Sequence, residues 1–248
     1  VEDQGVVYGR NTVLEHLKAA QGSEGYVLHV SRKAHGKILQ SIQDTARSRS
    51  IPVCHEDPEY FSRFRDARHQ GVALEVPVEA SPEDAGARSE ESWLREVARE
   101  RGLIVLLDQV TDPHNAGSIL RTAEALGAKG VVMTRERSAA GSASLAKTSA
   151  GATAWLPPRV TVNLARFIDR AKEAGYRVIG AAGEGEKMPR DLRGIRPALL
   201  VIGSEGSGLR RLTGEKCDLL VRIPLRGKVE SLNASVAAGI LIYELLRD

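Results

Sequence analysis

Apolar positions recur along this chain in two rhythms, strand-length runs and helical spacing, and the two alternate almost from end to end. In residues 8–20, YGRNTVLEHLKAA, Val13, Leu14 and Leu17 lie at helical spacing with Asn11 or Thr12 as cap, which predicts a helix. YVLHVS (26–31), IPVC (51–54) and GVALEV (71–76) read as strands, and KILQSIQDTARSR (37–49) as an amphipathic helix. These elements predict a small α/β domain over residues 1–76. After Pro77 the periodicity dissolves into VEASPEDAGARSEES, the composition of a linker, and Trp93, Leu94 and Val97 then resume helical spacing, poised to pack on the C-terminal part of the chain. The linker with this turn occupies residues 77–98.

From Leu103 the rhythm is regular. LIVLLDQV, GVVMTR, YRVIGAA, ALLVIG and LLVRIPL read as strands, separated by NAGSILRTAEALG, a small-residue helix near 145–150, and ARFIDRAKEAG; a long apolar helix ends the chain. Strands alternating with helices imply a mainly parallel sheet covered on both faces, and LIVLL and ALLVI have the near-continuous apolarity of doubly covered strands. Residues 99–248 therefore form a second α/β domain. Ligands of such sheets bind at the carboxyl ends of the strands, which singles out the loops after Val110, Ile202 and Leu225.

Composition narrows the function classes. Of 248 residues, 42% are hydrophobic and 27% charged, and no apolar run is long enough to span a bilayer, so no membrane partner is expected. The first residues, VEDQGVVYGR, have no basic stretch leading into an apolar one, so neither a secretory signal nor a transit peptide is expected. The two cysteines, Cys54 and Cys217, lie outside any C-x-x-C or Cys/His run, which argues against a disulfide framework and against a metal site. A reducing, cytoplasmic setting fits. Residues 1–76 carry ten basic and ten acidic side chains, whereas residues 103–248 carry 21 against 15, a basic excess that favours a polyanionic partner. In the first domain His29, Arg32, Lys33, Lys37, Arg63, Arg65 and Arg68 are candidates to follow a phosphate backbone.

The three loops differ in chemistry. DPHNAGSILRTA (112–123) starts with an Asp-Pro turn and sets Asn115 at the start of a helix that carries Arg121; the two converge only if Asn115 belongs to the loop, since six helical residues rotate about 240°. His114 is placed in the solvated turn. GSEGSG (203–208) lacks the Gly-Lys-Ser/Thr ending of a P-loop, and Glu205 would repel a triphosphate while attracting a cationic ligand. IPLRGKVESLNASVAAGILIYELL (223–246) turns a strand through Pro224 and Gly227 into the last helix, with Ser231 or Asn233 as cap, and Lys228, Glu230, Ser231 and Asn233 exceed the hydrogen bonding a connector needs. GAAGEG (180–185) imitates a dinucleotide fingerprint, but Pro189 interrupts the helix a pyrophosphate would require.

DPHNAGSILRTAEALG, LLVIGSEGSGL and RIPLRGKVESLNASVAAGI together resemble the three motifs of the SpoU (TrmH) family of RNA ribose 2′-O-methyltransferases, within the SPOUT class. The opening YGRNTVLEHL resembles the L30e-like RNA-binding domain of the branch that methylates a guanosine in large-subunit ribosomal RNA. Ala234 departs from the more frequent Val of the third motif, which bears on packing and not on chemistry. The resemblance implies an α/β SPOUT domain closed by a C-terminal trefoil knot, a homodimer, S-adenosyl-L-methionine as methyl donor and ribosomal RNA as partner, with transfer RNA methylation or RNA binding without catalysis as alternatives. It implies cofactor contacts at Gly203, Ile223 and Leu232, and catalytic or positioning roles for Asn115, Arg121, Glu205, Ser231 and Asn233.

Overall fold

The structure, a computed structural model, describes residues 5–64, 69–77, 89–134 and 143–247. Arg65, Arg68 and residues 78–88 of the linker predicted over 77–98 lie outside them. The chain divides into two compact units, residues 1–87 with 141–155 and residues 88–140 with 156–248.

The first unit opens with β1 (Val6–Tyr8), α1 (Arg10–Ala19), β2 (Val27–Ser31), α2 (Lys37–Ser48), β3 (Val53–Glu56) and β4 (Val72–Glu75). The strands form one sheet in the order β1-β4-β2-β3, with β2 and β3 parallel and β4 antiparallel to both its neighbours. Val13 and Leu17 of α1, Ile42 of α2, and Leu28 and Leu74 of the sheet are wholly buried together, each worth roughly 1.5–3 kcal/mol of transfer free energy. Three local expectations need correction. Residue 8 belongs to β1, a strand too short to show a period; α1 is preceded by Gly9 at φ 93° with no side-chain cap, and Thr12 is buried inside the helix. Strand β3 starts two residues late, because Pro52 has no N–H to give to a ladder. A 3₁₀ helix, Pro58–Arg63, escapes prediction because it has no 3.6-residue repeat; it seats Phe61, with Phe64 just beyond it, over Ala73.

His29 is not free to meet phosphate. It is buried, its Nδ1 lies 2.9 Å from Glu56 Oε1 and its Nε2 3.2 Å from Glu75 Oε1, and Tyr60 stacks on the ring. Parallel pairing also sets His29 opposite Cys54, so the His29, Cys54 and Glu56 donor atoms lie within 4.8 Å of one another, a cluster that linear spacing conceals. Carboxylates already engage both ring nitrogens, and the imidazole bridges two strands.

The second unit contains α3 (Glu90–Arg99), β5 (Leu103–Leu107), α4 (Pro113–Leu126) and β6 (Gly130–Thr134). Helix α5 (Ala143–Thr148) comes next in the chain but groups with the first unit, where Ala146 packs against the core and Trp155 Nε1 donates to Glu15 Oε2 at 3.0 Å. The second unit continues with β7 (Arg159–Thr161), α6 (Leu164–Glu173), β8 (Arg177–Ala181), β9 (Ala198–Ile202), α7 (Arg211–Lys216), β10 (Leu219–Val221) and α8 (Ala234–Leu246). Its six strands are all parallel, in the order β10-β8-β9-β5-β6-β7. Every residue of β5 and β9 is buried, as their unbroken apolarity requires. Ile104, Leu106, Leu199 and Val201 meet Phe167 and Ile168 of α6 and Trp93, Leu94 and Val97 of α3 on one face. Helix α3 thus belongs to this unit, started by Ser89, whose Oγ accepts from Ser92 N. Tyr176 donates its buried phenol to Leu94 O at 3.0 Å. On the other face α4 packs along α8. Two strands differ from expectation. The three-residue β7 has no counterpart in the sequence reading, and β10 ends at Val221, before Ile223, leaving residues 222–233 irregular.

The edge strand β10 is tied down by Asp218, which accepts from Val178 N at 2.8 Å and pairs with Lys172 at 2.8 Å. Burial pushes its carboxyl pKa up, but the Lys172 and Val178 N bonds and the nearby positive charges outweigh burial, and the net direction is down. A lowered carboxyl contributes stability above its ordinary pKa that is lost as pH falls through the folded value. Thermal melts of the wild type against Asp218→Asn are therefore expected to differ by about 1 kcal/mol at neutral pH and to converge below about pH 4. A difference that persists undiminished at lower pH would refute this.

Candidate active site

The site is built where the sheet's central strands end. Strand β9 runs out at Ile202 and the chain reverses at once, with Ser204 N donating to Gly208 O at 3.1 Å and Gly208 N to Ser204 O at 3.0 Å. This reversal presses the backbone of Gly208 and Leu209 against Gly203, where an added Cβ would stand 2.2 Å from the Gly208 carbonyl carbon. Gly208 itself has φ 66°, a backbone region that side chains with a Cβ disfavour. Around the reversal lies a cavity of about 350 Å³, within the range of small-ligand sites. Gly203, Glu205, Ile223, Ser231 and Leu232, five of the eight residues singled out from sequence, line it, and Leu209, Leu225 and Leu241 add apolar wall.

Two more of the eight meet the site by hydrogen bonding. Asn115 Nδ2 donates to Glu205 Oε2 at 2.9 Å, and Asn233 Nδ2 donates to Asn115 Oδ1 at 2.8 Å. Asn233 also caps α8, its Oδ1 accepting from Ser235 N at 2.9 Å and from Ser235 Oγ at 2.6 Å. A carboxylate only accepts, so Glu205 dictates which way the Asn115 amide faces, and Asn115 in turn orients Asn233. Asn115 is buried and Glu205 exposed, so the chain of bonds leads from the interior to the mouth.

Arg121 stands apart. Asn115 is the third residue of α4 and not part of the loop, and Asp112 is the cap, its carboxylate accepting from His114 N at 2.9 Å. The rotation along the helix therefore separates Arg121 from Asn115. Arg121 is exposed, does not line the cavity, and has no hydrogen bond or ion pair among the described residues. His114 is exposed, as expected, and stands in the first turn of α4.

Two features escape the sequence. The last residue of β8, Ala181, and the loop after it, Ala182, Gly183 and Glu184 in GAAGEG, line the cavity, although they read only as a flawed dinucleotide fingerprint. The loop's signal is positional, since it too comes after the carboxyl end of a parallel strand. Asp108, hidden in the strand-like run LIVLLDQV, is buried and accepts from Arg210 Nε at 2.7 Å and Arg210 N at 3.2 Å, fixing the backbone that leaves the glycine loop. A carboxylate ending an apolar strand was the available sign. Cys217, whose thiol burial pushes up to about 11, stays protonated at neutral pH and offers no nucleophile.

The family model for the SpoU rRNA methylases matches residues 102–243, the span that contains all three loops and the bonded asparagines. This chain belongs to the SpoU rRNA methylase family. A second model, for the substrate-binding region of RNA 2′-O ribose methyltransferases, matches residues 6–79 of the same SpoU chain. It is 38% identical to the 23S rRNA (guanosine-2′-O-)-methyltransferase RlmB of Pseudomonas aeruginosa over 98% of this chain and 96% of that one. An uncharacterized tRNA/rRNA methyltransferase of Mycolicibacterium paratuberculosis is also 38% identical, over 100% of this chain and 78% of its own. The fold matches that of the SpoU methyltransferase AviRb of Streptomyces viridochromogenes in complex with AdoMet, with a TM-score of 0.76 at 24% identity over 97% of this chain and 88% of that one.

Proposed function

We propose that this SpoU chain methylates a ribose 2′-hydroxyl of a guanosine in 23S ribosomal RNA, with S-adenosyl-L-methionine as donor. One observation carries the reading: a cavity closed by glycine backbone lies against a hydrogen-bond chain that joins helix α4, the glycine loop after β9 and the cap of α8, the segments that follow three separate strands. The cavity fits the donor's chemistry, because its apolar wall suits an adenine ring while Glu184, Glu205 and Glu230 at its margin suit a ligand bearing positive charge. Gly203, Ile223 and Leu232 are assigned to hold it. When bound, it supplies a methyl group on a sulfonium, which the ribose oxygen takes as the carbon–sulfur bond breaks.

The protein's share is alignment, a path for the hydroxyl proton, and stabilisation of charge on the oxygen. Glu205 is assigned to organise the polar groups at the mouth, held by Asn115, while Asn233 and Ser231 position the ribose. Arg121, exposed and without a partner among the described residues, is assigned to an RNA phosphate or the 2′-oxygen. A guanidinium resists deprotonation strongly, so a water or a phosphate oxygen is assigned as the proton acceptor.

The reading divides the work between residues 1–76, which bind RNA, and residues 99–248, which perform the transfer, in line with the spans of the two family models. It includes a trefoil knot formed by the C-terminal segment, a cytoplasmic setting, and a homodimer. No helix among the described residues is long and apolar enough to cross a membrane. Val236, Ile240 and Tyr243 leave an exposed apolar stripe on α8, which supports burial against a second copy. Light scattering is expected to give twice the chain mass, and Ile240→Glu to halve it; a wild-type monomer at micromolar concentration would remove the dimer from this account.

Incubation of purified protein with methyl-labelled donor and 23S rRNA tests the whole, with the product mapped by resistance of one ribose linkage to alkali. Transfer to transfer RNA alone would move the reading to the alternative substrate. Absence of transfer to any RNA, or label on a base, would sink it.

A further inference from the structure

The first unit carries a cavity of its own. Arg10, Ser31, Lys33, Ala34, His35, Gln70 and Gly71 line an open concavity of about 530 Å³. Three of these, Arg10, Lys33 and His35, have basic side chains, none is acidic, and none of the three forms an ion pair among the described residues. Arg32, adjacent in sequence, behaves differently and lies 3.6 Å from Asp57.

The groups are also held in place. Arg10 donates from Nε to Gln70 O at 3.3 Å and from its backbone N to Gln70 Oε1 at 3.0 Å, which aims the rest of its fork. Gly36 abuts that fork, where an added Cβ would be 3.2 Å from an Arg10 terminal nitrogen. His35 Nδ1 lies 3.1 Å from Lys33 O, which orients the ring. Ser31 is more than nine-tenths buried; its Oγ accepts from Lys33 N at 3.4 Å, and its hydroxyl proton has no acceptor among the described residues. Helix α2 begins at this rim after Gly36 with no side-chain cap, which adds its partial positive charge to the same place.

We infer that this concavity is an anchoring site for a phosphodiester of the RNA substrate, gripped by Arg10 and Lys33 with the Ser31 hydroxyl as a further donor. It deepens the reading of an RNA substrate and rests on it. A planar fork oriented beforehand, a flexible ammonium and a buried hydroxyl suit phosphate oxygens, whereas Ala34 is the one aliphatic side chain among the described lining residues. These residues act as substrate-positioning groups and take no part in methyl transfer.

Binding of a 23S rRNA fragment, monitored by fluorescence anisotropy against salt, tests it in the full-length protein. Arg10→Ala and Lys33→Ala are each expected to weaken binding about tenfold and to lower the slope of log affinity against log salt by about one. Arg166→Ala, an exposed cation of the other unit, serves as the control for loss of charge anywhere and should change neither by as much. The KM for RNA should rise while kcat at saturating RNA and affinity for the methyl donor stay level. Inorganic phosphate at millimolar concentration should compete weakly; saturation of the site by the free ion with RNA binding undisturbed would make it a phosphate site and overturn the inference. So would wild-type affinity and slope in both variants, Lys33→Ala being the safer since its side chain is exposed. If the protein binds RNA through these residues but transfers no methyl, the catalytic reading fails and the anchor stands.

Discussion

Gly203→Ala is expected to leave a folded protein whose affinity for the methyl donor is lower by roughly a hundredfold. The reason is steric and local. The new methyl would lie 2.2 Å from one carbonyl carbon and 2.3 Å from its oxygen, with Leu209 N at 2.5 Å, and all three are backbone atoms that no rotamer change can move. The reversal at 204–208 must therefore open, which carries Glu205 and the cavity wall with it. Overpacking of this kind costs about 3 kcal/mol, or roughly a hundredfold in affinity for a ligand held by that wall. Calorimetric titration of the donor, alongside a thermal melt, separates loss of binding from loss of fold. Gly206→Ala is a useful companion, since a Cβ there meets nothing within 4 Å and only its φ of 89° is disfavoured. Equal donor affinity in Gly203→Ala and wild type would show that the cavity is not the donor site.

Asn115→Ala is expected to reduce kcat/KM about a hundredfold or more while moving donor affinity far less. The substitution removes the donor to Glu205 and the acceptor for Asn233 in one step, leaving the charged carboxylate and the α8 cap without their mutual reference. Each broken bond costs roughly 1–3 kcal/mol, and misplacement of a reacting oxygen by about an ångström is enough for the rest. Asn115→Asp discriminates further, because it can still accept from Asn233 but presents a second negative charge to Glu205. It should therefore fall at least as far as alanine at neutral pH. Single-turnover rates at saturating RNA and donor measure the effect directly. An Asn115→Ala enzyme with near-normal turnover would reduce the asparagine to a packing residue.

The elements of this chain were legible wherever a period had room to repeat. Helices α2, α4, α6 and α8 and the buried strands β5 and β9 stand close to where apolar spacing puts them. Three-residue strands such as β1 and β7, and the 3₁₀ helix Pro58–Arg63, hold too few residues for a rhythm to register. The candidate site was legible for a different reason. Its residue types cluster in motifs, and the rule that ligands gather at strand carboxyl ends joins the three motifs without any coordinates.

The amino-acid sequence alone determined the α/β class and the parallel sheet, because those arise from local chemistry and order along the chain, and through the resemblance of its three motifs it indicated the family and seven of the residues found at or bonded to the site. Only the tertiary structure decided that His29 sits between two carboxylates, that the loop after β8 joins the cavity, and that Asn115 spans Glu205 and Asn233 while Arg121 faces elsewhere. Each is a meeting of residues separated by tens of positions. Pairing register and helix rotation set such meetings, and neither leaves a mark in the residues taken one stretch at a time.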